Sequence, residues 1–234
     1  MNTKCNFALA GVATCALGTF ASAGMYIMDQ IGSMDGGNID GSNIAASQDF
    51  DSFGAYDIVA IDDFTIDSAM NLTSASMVLG GWNGFASTDF IEGYTVSIFS
   101  SVAAAGNSIY GDIASIYLIN GVDPGISYSP NWSTGEENWL VSFDMSGVSL
   151  DAGTYWMGIT PFNVYGDNGQ TGVYSSDIGD SSGWQGNPTG AFGFGPTQAT
   201  GVNYAYSLEG TGVPAPGALA LLGLAGLASR RRRK

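Results

Sequence analysis

Residues 179–183 carry the most recognisable catalytic pattern of the chain. They read G-D-S-S-G, which fits the G-x-S-x-G pattern of a serine nucleophile on a tight turn, with Ser181 as the attacking residue. Such a serine needs a base to accept its proton, and the 234-residue chain contains no histidine. The segment is therefore predicted to be a Gly/Ser turn before Trp184.

Carboxylates are the acid–base groups that remain. A glycosidase needs only two of them, and the adjacent pairs are Asp62 with Asp63 and Glu136 with Glu137. Adjacent residues of a strand face opposite sides, and adjacent acids in a turn are usually solvated. We therefore assign no catalytic residue and interpret the protein as non-enzymatic.

Acidic residues dominate the middle of the chain. All 21 lie between Asp29 and Glu209, and this stretch contains no Lys or Arg, so its formal charge is −21. Its carboxylates must be solvated, hydrogen-bonded or neutralised by cations, because a buried unpaired charge is prohibitive. The charge also excludes nucleic acid and anionic lipid as partners.

Calcium is the only cofactor that these residue types suggest, because it prefers oxygen ligands. None of the acidic loops has the full EF-hand spacing, and solvated turn residues are the alternative interpretation. The candidate ligands are Asp35, Asn38 and Asp40, then Asp49 with Asp51, and Asp167 with Asn168.

Three tryptophans lie in Gly/Ser/Asn-rich stretches outside the alternating segments: Trp82, Trp132 and Trp184. If exposed, their rings could stack on sugars. The alternative is that they cap the open ends of a sandwich, because aromatic rings bury a large area.

Strands are the elements that must position these residues. Apolar residues alternate with polar ones, and Gly, Asn, Asp, Ser and Pro clusters separate the segments. We predict eight or nine strands, each with one core face, including 56–66, 71–80, 93–100, 113–119, 138–145, 154–159, 190–194 and 202–209. The fold class is therefore an all-β two-sheet sandwich, jelly-roll-like, with an immunoglobulin-like sandwich as the alternative.

The N-terminus predicts export. Lys4 precedes an apolar run over residues 7–20, and Ala21, Ala23 and Gly24 form a small-residue site for signal peptidase. We expect cleavage after Ala23, which removes both cysteines, Cys5 and Cys15. A lipoprotein interpretation through Cys15 is weaker, because Thr14 stands where a lipobox has Gly, Ala or Ser.

The C-terminus combines three features of a membrane segment. A short motif, Val213, Pro214, Ala215, Pro216 and Gly217, precedes an apolar run over residues 218–229 and the basic cluster Arg230, Arg231, Arg232, Arg233 and Lys234. As a helix, residues 213–229 would extend about 25 Å, slightly less than a bilayer core. The basic cluster should stay cytoplasmic and leave the acidic domain outside.

This tail resembles the PEP-CTERM sorting signals, which have a Pro-Glu-Pro motif, a Leu/Gly/Ala-rich helix and an arginine cluster. The resemblance covers about the last 22 residues, and Ala215 replaces the central Glu of the motif. It implies recognition by an exosortase-like membrane protease. A plain C-terminal anchor without processing is the alternative.

Three parts follow: a signal peptide (1–23), an acidic β-sandwich domain (24–212) and a sorting tail (213–234). We expect an exported structural protein of the bacterial surface or extracellular matrix that is transiently anchored in the inner membrane. Its processing partners would be signal peptidase and the exosortase-like protease. The alternative function is a carbohydrate-binding module that acts on surface polysaccharide.

Overall fold

Two β-sheets packed face to face form the protein, in a computed structural model that describes residues 24–32, 38–130 and 138–213. The predicted all-β two-sheet sandwich is thereby confirmed. The described residues contain sixteen strands, which are in chain order β1 (Met25–Asp29), β2 (Ile39–Ala46), β3 (Asp49–Phe50), β4 (Val59–Ile66), β5 (Met70–Trp82), β6 (Ile91–Phe99), β7 (Ala114–Ile119), β8 (Ile126–Pro130), β9 (Trp139–Asp144), β10 (Ser149–Leu150), β11 (Gly153–Asn163), β12 (Gln170–Ser176), β13 (Trp184–Gly186), β14 (Thr197–Ala199), β15 (Asn203–Tyr204) and β16 (Tyr206–Gly212).

Helices are short in this fold. The α-helices are α1 (Val102–Asn107) and α2 (Tyr165–Asn168), and single 3-10 turns cover Gly54–Tyr56 and Thr88–Phe90. Ser101 caps α1, because its Oγ accepts the Ala104 N–H at 3.2 Å.

The first sheet is organised around the long strand β5, which pairs with β16, β12, β9 and β10. Strand β1 adds to β16, β8 adds to β9, and β2 and β15 add to β12. The second sheet has the order β14-β13-β4-β11-β6-β7. All these pairs are antiparallel, whereas the two-residue strand β3 joins β11 in parallel.

The main core lies between the two sheets, and period-two alternation builds it. Met77 and Leu79 of β5 face Val96 and Ile98 of β6, with Phe143 of β9 in the same cluster, and none of them is more than 1% exposed. Each such side chain contributes about 1.5–3 kcal/mol by leaving water. The largest apolar residues of the predicted strands therefore stabilise the contact between the sheets.

A smaller cluster covers part of the outer face of the second sheet. Helix α1 places Ala105 over Val59, Ile61 and Phe99, which all point away from the main core. The rest of this face, along β6, β7 and the end of β11, borders a cavity that is described below.

Most predicted strands coincide with observed ones, with bounds that differ by a few residues. The segment 190–194 is an exception, because it forms consecutive turns. Gly190 and Gly193 have φ angles of +74° and +82°, and the Gly190 N–H donates to the Asn187 carbonyl. These left-handed glycines interrupt the strand that the apolar residues suggested.

The expectation of one core face per strand is wrong for segment 202–209. Tyr206 and Leu208 enter the main core, while Ala205 points the other way and packs with Val78 and Tyr174. Both faces are covered here, because Ile31 and the β2 side chains Ile39 and Ile44 belong to the same cluster as Ala205, on the side away from the main core.

Candidate functional site

The G-x-S-x-G segment forms a turn beside strand β4. Ser181 has a φ of +64°, and its N–H donates to Asn203 Oδ1 at 2.9 Å. The hydroxyl that reaches carboxylates belongs to the next residue: Ser182 Oγ lies 2.5 Å from Asp63 Oδ1 and 3.2 Å from Asp62 Oδ1. The residue in the nucleophile position of the pattern is therefore not the one that contacts the acids.

Asp62 is an acid enclosed in the sandwich. Its side chain is 0% exposed, and it accepts the N–H groups of Tyr204 at 2.9 Å and of Asp63 at 3.0 Å. Burial raises its pKa to about 6, and the hydrogen bonds from Tyr204 and Asp63 oppose this change. Asp62 thus ties β4 to β15 through backbone donors, and the described residues enclose it completely.

Asp62 and Asp63 lie on opposite faces of β4, as expected, but one side chain contacts both of them. Asp62 is buried and Asp63 half-buried, as opposite strand faces require, yet the Ser182 hydroxyl bridges both carboxylates from the adjoining turn. Their charges are consequently close to one hydroxyl, which donates its single proton to one of them at a time. Glu136 and Glu137 lie outside the described residues.

The calcium candidates do not assemble within the described residues. Asp35 lies outside them, Asn38 is half-buried in a turn, and Asp40 is exposed in β2. Among the described residues, no group of three or more Cys, His, Asp or Glu side chains could hold a metal ion.

Asn168, another calcium candidate, has a structural role. Its Oδ1 accepts the Ala86 N–H at 3.1 Å, and its Nδ2 donates to the Ser87 carbonyl at 3.1 Å. It therefore holds the loop after β5 against helix α2.

The prediction that the three tryptophans lie outside strands is wrong for Trp82 and Trp184. Trp82 is the last residue of β5, in the first sheet, and Trp184 is the first residue of β13, in the second sheet. Both are half-buried, and Trp184 packs against the cluster under α1. Because Trp82 and Trp184 belong to different sheets, they do not share one sheet face. Trp132 lies outside the described residues.

A cavity on the outer face of the second sheet brings together residues that sequence reasoning did not connect. Its volume is about 320 Å³, and it is lined by Asp49, Thr95, Tyr110, Ser115, Tyr117 and Phe162. We call it the Asp49 cavity. It combines a carboxylate, two aliphatic hydroxyls and three aromatic rings, two of which are phenols; this set can both accept hydrogen bonds and pack against an apolar ring face.

Strand β3 places the acid of this cavity. Asp49 lies opposite Phe162 in the parallel pair with β11, so both residues share one face of the sheet. The backbone of the next residue, Phe50, is also held in place, because its N–H donates to Asp57 Oδ1 at 2.9 Å. Asp57 thereby closes the loop that follows β3.

The loop between α1 and β7 places Tyr110. Asp112 Oδ1 accepts the Ser100 N–H at 2.8 Å, and Ser115 Oγ accepts the Gly111 N–H at 2.8 Å. Held in this way, Tyr110 donates its hydroxyl to Asp49 Oδ2 at 2.7 Å.

Gly93 makes room for Tyr117. A Cβ on Gly93 would lie 2.5 Å from Tyr117 Oη and 2.7 Å from the Leu118 carbonyl oxygen. The phenol therefore lies across the β6 backbone, where a larger residue would force a neighbouring group to shift. Its ring meets Phe162 edge-on, with centroids 6.4 Å apart.

Electrostatics distinguish the acids around the Asp49 cavity. Asp49 is only 6% exposed, and this burial raises its pKa, which the hydrogen bond from Tyr110 partly offsets. Burial likewise raises the pKa of Asp57 to about 6, with a further contribution from the charge of Asp49. Burial and the bond to Asp49 also raise the pKa of Tyr110, so its phenol stays protonated and remains a donor.

A second cavity of similar size lies next to β3. It is about 320 Å³ in volume and is lined by Phe50, Phe53, Tyr56, Tyr165 and Gln170. Tyr165 meets both Phe50 and Phe53 edge-on at 5.6 Å. Asp49 and Phe50 are adjacent in β3, so they project to opposite sides of the strand, one into each cavity.

The predicted processing signals lie at the borders of the described residues. Gly24 is exposed and Val213 donates its N–H to the Ala69 carbonyl at 2.9 Å, whereas residues 1–23 and 214–234 fall outside the description. Within the described part, no helix has the length and apolar character to cross a membrane.

Comparison with known proteins adds no relative. No protein-family model matches the chain, and no curated protein matches it.

Proposed function

We propose that this chain is an exported, non-enzymatic protein of the bacterial surface or extracellular matrix. In this proposal, signal peptidase removes residues 1–23, and an exosortase-like protease processes the tail that starts at Val213. The acidic sandwich is the mature, outward-facing part, in contact with extracellular polysaccharide.

The observation that carries the proposal is the position of the fold between the two signals. Strand β1 begins at Met25, directly after the predicted cleavage site, and β16 ends at Gly212, directly before the motif. Both segments could therefore be removed without the loss of a strand. This coincidence supports processing at both ends.

The pairing of the terminal strands supports it further. Met25 lies opposite Gly210 in the antiparallel pair β1–β16, so the chain enters and leaves the sandwich at the same end. A protein held by membrane segments at both termini would point this end towards the bilayer. The rest of the acidic domain then faces away from anionic lipid, as its charge requires.

Intact mass of the protein recovered from its bacterium tests the proposal. We expect a chain that starts at Gly24 and ends near residues 214–217. A matched variant with Arg230–Arg233 changed to Ser should keep the mature N-terminus but lose correct tail processing, because the basic cluster orients the tail. A wild-type protein that still ends at Lys234 would instead identify a plain anchor.

Carbohydrate binding is the second candidate function, and the Asp49 cavity is the observation that favours it. The tryptophan version has less support, because Trp82 and Trp184 belong to different sheets. A polysaccharide pull-down with Trp132→Ala and Trp184→Ala tests that version directly, since lost retention would assign binding to a tryptophan.

A further inference from the structure

We propose that the Asp49 cavity binds one uncharged pyranose ring of a polysaccharide, with the face of Tyr117 as its platform and Asp49 as its hydrogen-bond acceptor. This inference deepens the second candidate function and is independent of export and tail processing.

Exposed aromatic rings provide the first argument. Tyr110 and Tyr117 are 48% and 50% exposed, although most large apolar side chains of the second sheet are buried. The Tyr117 phenol rests over Gly93 and its ring meets Phe162 edge-on, and these contacts hold the ring in place on the sheet. An apolar ring surface held rigidly in water is suited to pack against the C–H face of a sugar.

Polar groups in the lining of the cavity provide the second argument. The Tyr110 hydroxyl donates to Asp49 Oδ2, so an acceptor and a hydroxyl that can accept in turn lie within 2.7 Å of each other. Thr95 and Ser115 add two more hydroxyls to the lining. A sugar carries adjacent hydroxyls that both donate and accept, and hydrogen bonds to a carboxylate are stronger than neutral ones.

Charge and size narrow the ligand class. The stretch from Asp29 to Glu209 carries −21 and contains no basic residue, so uronic acids and sulfated sugars are repelled. A cationic amino sugar would be attracted to acidic residues over the whole domain, so it would bind this cavity with little selectivity. A volume of about 320 Å³ is at the lower end for ligand sites, which suits one ring of a chain that continues into solvent.

Binding of oligosaccharides to the full chain in its exported form tests the inference. The probes are neutral hexasaccharides of glucose, mannose and galactose, with an alginate oligosaccharide as the anionic probe and a chitosan oligosaccharide as the cationic one. We expect at least one neutral probe to bind in titration calorimetry at 150 mM salt and the alginate probe not to bind.

Variants locate the site. Tyr117→Ala and Asp49→Asn should each weaken binding by about tenfold or more, while Tyr117→Phe retains the ring and most of the affinity. Tyr26→Ala is the matched control, because Tyr26 is 59% exposed on β1 in the other sheet. Circular dichroism and melting temperature confirm that each variant is folded.

Three results would overturn the inference, and each identifies a different error: in the site, in the function or in the ligand class. If Tyr117→Ala binds normally while Trp184→Ala does not, carbohydrate binding stands but its site is elsewhere. If no neutral probe binds, both the cavity and the second candidate function fail. If only chitosan binds and high salt abolishes the interaction, the ligand is a cation and the uncharged class is wrong.

Discussion

We expect the sandwich to be more stable at pH 4 than at pH 7, and Asp62 to account for much of the difference. In the folded chain its carboxyl has a pKa of about 6, against 3.8 for an unperturbed Asp, because it is buried between the sheets. Between these pH values the folded state binds more protons than the unfolded state. The free energy of unfolding therefore falls as pH rises through this window.

The magnitude follows from the size of the pKa change. One pKa unit corresponds to about 1.4 kcal/mol, so a rise from 3.8 to about 6 is worth roughly 3 kcal/mol for a group that is 0% exposed. This stabilisation is fully present below pH 3.8 and is lost by about pH 6. Asp57, whose pKa is also about 6 but which is only half-buried, adds a smaller effect of the same sign.

Urea unfolding of residues 24–213 at pH 4 and pH 7 measures the effect, in 0.5 M salt so that general repulsion is screened. Asp62→Asn should remove about 2 kcal/mol of the pH dependence between pH 4 and pH 7, because the amide does not titrate and an unfolded Asp is already partly ionised at pH 4. Asp67→Asn is the matched control, since Asp67 is exposed in a turn. Equal pH dependence in the wild type and Asp62→Asn, within 0.5 kcal/mol or so, would refute the reasoning.

Three further expectations test other parts of the structure. Gly93→Ala should lower the free energy of unfolding by about 1–3 kcal/mol in urea, because the new Cβ meets Tyr117 Oη and the Leu118 carbonyl; an unchanged midpoint would show that this contact relaxes freely. Phe143→Ala should destabilise the main core by about 3–5 kcal/mol in the same assay, and a loss below 1 kcal/mol would contradict its central position. The melting temperature should rise with salt, and further with millimolar calcium if the acids bind it; no change with either would mean that the carboxylates lie too far apart to repel.

Strand positions could be predicted from the sequence where one face is buried and the other is polar. Strand β7 shows this clearly, because Ile116 and Leu118 pack on the main core while Ser115 and Tyr117 alternate with them on the outer face. Strand β12, Gln170–Ser176, was missed for the opposite reason. From residue 171 onward it is buried on both faces, and its small polar residues show no alternation.

The Asp49 cavity could not be predicted from spacing. Asp49 and Tyr110 are 61 positions apart, and they meet only because β3 joins β11 in parallel while the α1–β7 loop folds over the same sheet. The sequence marked Asp49 only as a calcium candidate beside Asp51. Gly93 in a predicted strand was the one local signal, because a strand glycine often marks a close approach of another group.

Because the stretch from Asp29 to Glu209 contains no Lys or Arg, its carboxylates depend on hydrogen-bond donors, and Asp49 differs from most of the others in the kind of donor it has. Most of the other well-held carboxylates accept backbone N–H groups at turns and strand ends, which satisfies their oxygens without neutralising their charge. The pairs are Asp29 with Ile31 and Gly32, Asp57 with Phe50, Asp62 with Tyr204, Asp112 with Ser100, Asp123 with Ile119, and Asp144 with Ser146.

Asp49 instead accepts the hydroxyl of a half-exposed tyrosine at the wall of a cavity. A backbone N–H is fixed by the fold, whereas a tyrosine hydroxyl can turn its proton towards another acceptor when a ligand supplies a new donor to the carboxylate. Exchange of one hydrogen bond for another would leave no buried group unpaired, which is the condition for binding a hydroxyl-rich molecule without a large desolvation penalty. The same exchange is unavailable to Asp62, because its side chain is 0% exposed and two of its donors are backbone N–H groups of β4 and β15. Complete burial therefore separates this structural acid from one that can serve a ligand.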